Sequence, residues 1–127
     1  MAILNNEIKQ LIKDQQHAYI ATASNDGIPN VSVKGSIRII DDDTIAFACI
    51  WSDNTIKNLE TNPQIAIALA DAKAAKGIQL KGKATLEKSG ALFDQMKEAL
   101  AKMKLPEPKC VARINISEVY QWTPAKY

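Results

Sequence analysis

In the segment WSDNTIKNLETNP (Trp51–Pro63), four small polar residues stand between an apolar strand-like run and a helical pattern: Ser52, Asp53, Asn54 and Thr55. A helix start presents unpaired backbone N–H groups and the positive end of the helix dipole, and both suit an anion such as phosphate. Ser52, Asn54 and Thr55 add side-chain donors at that point. The same residues also suit a plain N-cap, with Ser52 and Asp53 as the natural capping residues. A carboxylate at Asp53 opposes a bound anion. Capping and anion binding are both open on this motif alone.

A second polar row lies in NVSVKGSIRII (Asn30–Ile40). Period-two alternation puts Val31, Val33, Ile37 and Ile39 on one face and Asn30, Ser32, Lys34, Ser36 and Arg38 on the other. The polar row is either a solvated strand face or, being positive and hydroxyl-rich, a holder for a phosphate and a ribityl-like chain. The second reading requires the helix start at Ser52–Thr55 to lie beside it. Trp51 and Trp122 are the only tryptophans, each able to cover a flat ring or simply to pack.

The elements that must position these residues follow from periodicity. Ile3, Leu4, Ile8, Leu11 and Ile12 make an apolar helical stripe, with Asn5 or Asn6 to cap it. HAYIATAS (His17–Ser24) reads as a strand, closed to the next by the Asp26-Gly27 turn. TIAFACIW is a strand of small apolar residues, expected to be buried on both faces. A short helix spans about Asp53 to Thr61, and strands follow at Gln64–Asp71 and in IQLKGKATLEK. Ser89 is the expected N-cap of a helix carrying Leu92, Phe93, Met96, Leu100 and Met103, and KCVARINISEVYQW is the last strand. The expected fold is mainly β with minor α, a six-stranded antiparallel barrel with flanking helices, because closure removes bare sheet edges.

The bulk properties exclude several functions. The chain has 127 residues, which fits a single domain over 1–127. Sixteen lysines and arginines against 14 acids leave a net charge of +2, too balanced to bind nucleic acid by field alone. No run approaches a membrane span, no signal peptide is evident, and a cytoplasmic location is expected. Cys49 and Cys110 sit in apolar runs at no metal-ligand spacing and are expected to be buried reduced thiols. The lone His17 cannot build a His-rich metal site, and no nucleophile elbow, Walker loop or GxGxxG is present. Redox chemistry would have to come from a bound cofactor.

ATASNDGIPNVSV followed by KNLETNPQIAIAL resembles, at this separation, the pyridoxamine 5′-phosphate oxidase-like, FMN-binding split β-barrel family, and the likeness extends over nearly the whole chain. The resemblance implies a homodimer with FMN in clefts between subunits and an oxidoreductase or electron-transfer role. It implies phosphate contacts at Ser32, Val33 and Lys34 and at Ser52, Asn54 and Thr55, with Trp51 at the ring. Gln79, Lys81 and Trp122 are the implied contacts from the second subunit. The family's B6-oxidising members carry a substrate-binding C-terminal segment with no evident match in this sequence, so oxidation of a B6 vitamer is the least expected activity. The family commonly has a basic residue immediately before the helix-start threonine, and here that position is Asn54. Either Lys34 or Arg38 supplies the charge, or the chain is a non-catalytic ligand-binding or sensing barrel with weakened or lost FMN binding. A haem in such a barrel would need an axial ligand, and His17 is the sole histidine.

Overall fold

The computed structural model describes residues 3–15, 17–35 and 37–122. Ser36 of the polar row and the C-terminal TPAKY lie outside the described residues. The elements in order are α1 (Asn6–Asp14), β1 (Ala18–Ala23), β2 (Pro29–Lys34), β3 (Arg38–Ile39), β4 (Thr44–Cys49), α2 (Asp53–Thr61), β5 (Gln64–Asp71), β6 (Lys76–Glu87), α3 (Ala91–Lys102) and β7 (Cys110–Trp122). The strands form one antiparallel sheet in the order β2-β1-β5-β6-β7-β4-β3.

The fold is the expected curled antiparallel barrel, with seven strands in place of six. The run Asn30–Ile40 does not stay one strand: it leaves strand geometry after Lys34 and resumes at Arg38. Its first half pairs with β1 and its second half with β4, at opposite edges of the sheet. The step from Lys34 to Arg38 spans at most about 14 Å even when extended, so the two edges must lie close and the sheet must curl.

Two apolar clusters hold this arrangement. Ile45, Phe47 and Cys49 of β4 point into the barrel, where they join Ile20, Ile67, Leu80 and Ile114 beneath Ile8 and Ile12 of α1. Ala46 and Ala48 point the other way, onto Leu92, Phe93, Met96 and Leu100 of α3. All six residues of β4 are therefore buried, as its composition implied. Alanine on the outer face lets α3 approach closely. The cap of α1 is Asn5, whose Oδ1 accepts from the Ile8 N–H at 2.9 Å. The cap of α3 is Gly90, at φ +102°, and not Ser89. A left-handed conformation at that position excludes most side chains, which is why the glycine takes it.

Candidate functional site

The polar face of β2 turns inward, onto the start of α2. Asn30, Ser32 and Lys34 are half-buried, whereas Val31 and Val33 are 65% and 52% exposed. In this half of the run the polar row faces inward, whereas Ile37 and Ile39 of the second half pack against the core. Buried polar groups require partners, and α2 provides them. Ser32 Oγ and Thr55 Oγ1 lie 3.0 Å apart, and Asn30 Nδ2 donates to Thr55 Oγ1 at 3.4 Å. Lys34 Nζ donates to Ser52 Oγ.

Ser52 holds the N-cap position of α2, and its carbonyl accepts from the Ile56 N–H at 3.0 Å, but its side chain makes no capping bond. Asp53 does not cap either; its exposed carboxylate forms an ion pair with Lys109 at the start of β7. The first-turn N–H groups therefore carry no side-chain cap, and the one carboxylate of the motif, which still borders the cleft, is paired with a lysine that local sequence did not single out.

The Lys34 ammonium lies 5.5 Å from the centroid of the Phe47 ring. Burial pushes its pKa below the ordinary lysine range. None of the ion pairs among the described residues includes it. A half-buried cation in that state gains from any anion brought beside it. Arg38, the other expected source of charge, donates instead to Gln95 Oε1 at 3.5 Å on the α3 side and lines neither part of the cleft described below.

The cleft has two connected parts. A polar cavity of about 470 Å³ is lined by Asn30, Val31, Ser32, Trp51, Ser52, Asp53, Asn54 and Thr55. An apolar cavity of about 280 Å³ adjoins it, walled by Val33, Lys34, Ile50, Leu100, Met103 and Leu105. Ser32, Trp51 and Ser52 line both, so hydroxyls sit at the junction. Trp51 is 74% exposed and forms the rim. Leu100, Met103 and Leu105 come from α3 and the turn after it, far along the chain, and no local motif marks them. Asn30 was legible as a member of the polar row.

Gln79, Lys81 and Trp122 are not brought to this cleft within one chain. Gln79 and Lys81 lie on β6 in the cross-strand rows Val33–Tyr19–Ala68–Gln79–Tyr120 and Val31–Ala21–Ala66–Lys81–Glu118. The Lys81 ammonium sits 5.3 Å from the Tyr120 ring centroid. Trp122 packs over Gly77 and borders a separate cavity of about 180 Å³ against α1. Glu7, Asp14 and Asp71 line that cavity, which makes it a poor place for an anion.

The sequence profile described as pyridoxamine 5′-phosphate oxidase matches residues 4–123 of this chain. An uncharacterized protein of Methanocaldococcus jannaschii is 31% identical over 118 residues, covering 88% of this chain and 78% of that protein. The crystal structure of HupZ from Group A Streptococcus superposes with a TM-score of 0.87 at 29% identity, over 96% of both chains. Two more distant structures share the fold. An FMN-binding protein from Syntrophomonas wolfei has a TM-score of 0.76 at 22% identity, over 90% of this chain and 82% of that one. The heme storage protein HutZ from Vibrio cholerae has a TM-score of 0.65 at 20% identity, over 94% of both chains.

Proposed function

The chain belongs to the pyridoxamine 5′-phosphate oxidase family, and from that premise we propose that it is an FMN-binding flavoprotein acting as an oxidoreductase or electron carrier. One observation carries the reading: a helix start without a side-chain cap, three hydroxyls and a half-buried lysine converge on a seat that opens into an apolar slot. Phosphate suits the seat, through the α2 N–H groups, Ser32, Ser52, Thr55 and the Lys34 charge. A flat ring suits the slot, between Trp51 at the rim and the apolar end of α3. Lys34 stands in for the basic residue absent at Asn54. When bound, the flavin supplies hydride or single-electron transfer. The residues lining the slot include no carboxylate or imidazole, which accords with that chemistry more than with proton abstraction.

The partner in this reading is a second copy of the chain. Tyr19, Val31, Val33 and Tyr120 expose apolar surface on one sheet face, interleaved with the small residues Ala21, Ala66 and Ala68. A contiguous apolar face of this kind marks an interaction surface. Gln79 and Lys81 lie within it and would approach the other subunit's cleft. Val33→Glu is expected to convert a dimer into a monomer in light scattering, because it places a charge within the face, beside Tyr19. A parent chain that is already monomeric at micromolar concentration would overturn the dimer.

The haem reading rests on the likeness to HutZ, and it calls for an axial ligand. His17 is exposed, precedes β1, and does not line the cleft. The deciding measurement is a visible spectrum of the purified chain after incubation with excess FMN and desalting, repeated in parallel with haem. A retained flavin spectrum supports the proposal. A colourless protein, or one that retains haem alone, overturns it.

A further inference from the structure

The cleft makes no use of the two cysteines. Cys49 ends β4 and Cys110 begins β7, and they are direct partners in the antiparallel ladder. Directly opposed residues in such a ladder have Cα atoms about 4.5 or 5.5 Å apart, depending on the type of pair. Either value falls inside the roughly 4.4–6.8 Å range that a disulfide accepts. Both side chains point into the same barrel cluster. Both thiols are free, and each is fully buried. Reduced cysteines placed face to face on adjacent strands need almost no backbone movement to join.

We propose that Cys49 and Cys110 form a modifiable dithiol that oxidants of the peroxide class close to a cross-strand disulfide. The mutual influence of the two buried thiols holds the Cys110 pKa below and the Cys49 pKa above the ordinary thiol range. The lysines Lys34 and Lys88 further favour a Cys110 thiolate, and Glu60 opposes it. In this proposal Cys110, at the start of β7 and under the influence of both lysines, is the attacking sulfur. Its thiolate attacks one peroxide oxygen, the O–O bond breaks, and Cys110 becomes a sulfenic acid as hydroxide leaves. Cys49, its proton passed to that hydroxide, attacks the Cys110 sulfur. The S–O bond breaks, a second hydroxide leaves and takes a proton from solvent, and the disulfide forms. Two thiols and one peroxide thus yield one disulfide and two waters.

Burial sets the pace. Cys49–Cys110 is the terminal rung of the β4–β7 ladder, held at its end by the Lys109 N–H on the Cys49 carbonyl at 2.8 Å. Terminal rungs open at far lower cost than the whole fold, and opening this one exposes both sulfurs together.

The test treats the full native chain with hydrogen peroxide, denatures it in the presence of a thiol alkylator, and measures intact mass. The expected product has lost two hydrogens, takes no alkyl group, runs as a monomer without reductant, and recovers both thiols after dithiothreitol. Peptide mapping should join Cys49 to Cys110. In Cys49→Ala, which leaves Cys110 without a resolving partner, dimedone should label Cys110. Two alkylated cysteines after peroxide, or a disulfide between chains, would overturn the proposal. Should Cys49→Ala fail to fold, the peptide map of the parent chain decides alone.

Discussion

The double variant Thr55→Val, Lys34→Ala is expected to release FMN under conditions where the parent chain retains it. Thr55→Val keeps the shape of a buried side chain and removes only the hydroxyl that faces Ser32 and Asn30. Lys34→Ala removes the charge that the proposed reading puts in place of the missing basic residue. Hydrogen bonds to charged groups contribute about 1.5–3 kcal/mol each. Losing two such contacts weakens binding by roughly 10²–10⁴-fold. Either substitution also bears on stability, since both side chains have partners in the free protein. Burial disfavours the Lys34 ammonium in the free protein, which offsets part of what is lost with its Ser52 and Phe47 contacts. Fluorescence titration of FMN against each single variant and the double, with a melting curve for each, separates the two effects. Parent-like affinity in the folded double variant would mean that the phosphate sits elsewhere.

The largest expected effect on folding is that of Gly82→Ala. The β6–β7 pairing shifts register between Lys81 and Gly82, and at that irregularity the two backbones approach closely. A Cβ on Gly82 would lie 2.0 Å from the Asn115 carbonyl oxygen and 2.8 Å from its carbon. Both are main-chain atoms in the middle of a strand, so no side chain can swing aside. Overpacking that side chains absorb costs about 1–3 kcal/mol. A backbone clash in the longest ladder of the sheet should exceed that range, against a total stability of about 5–15 kcal/mol. Gly27→Ala is the control: nothing lies within 4 Å of its Cβ, and its cost comes only from φ +86° at the β1–β2 turn, about 1–2 kcal/mol. Urea unfolding should show a modest shift for Gly27→Ala and a collapse of soluble folded protein for Gly82→Ala. Equal midpoints for the two variants would contradict the bulge geometry.

The helix start at Ser52–Thr55 shows how far local pattern reaches. Residue types there announce a helix and a set of donors, and α2 begins at Asp53 as the periodicity implied. Whether Ser52 caps that helix is a different matter, because it depends on what else competes for the hydroxyl. Lys34, brought across from β2, engages it, and Lys109 draws Asp53 away. Both partners are distant in sequence.

The β2 strand shows the same limit from the other side. Its alternation was legible, and alternation divides residues into two faces without saying which face is inside. Apolar residues inside is the usual answer, and here it is reversed. Val31 and Val33 face outward beside Tyr19, while Ser32 and Lys34 face α2. The break that makes seven strands out of six follows Lys34 and begins at a glycine, Gly35. Its consequence, two halves of one run on opposite sheet edges, is a matter of long-range pairing.

By itself, then, the sequence determined the kinds of element, their order, and the residues with chemistry to offer, because periodicity and turn residues act over a few positions and leave their trace there. It also determined the family, since the two diagnostic segments lie at family spacing. Only the tertiary structure decided that Ser32 meets Thr55, that Lys34 and not Arg38 reaches the seat, that α3 supplies the apolar wall, and that Cys49 faces Cys110. Those contacts join residues tens of positions apart. Strand register and sheet curl set them, and these are settled by the packing of the whole barrel core.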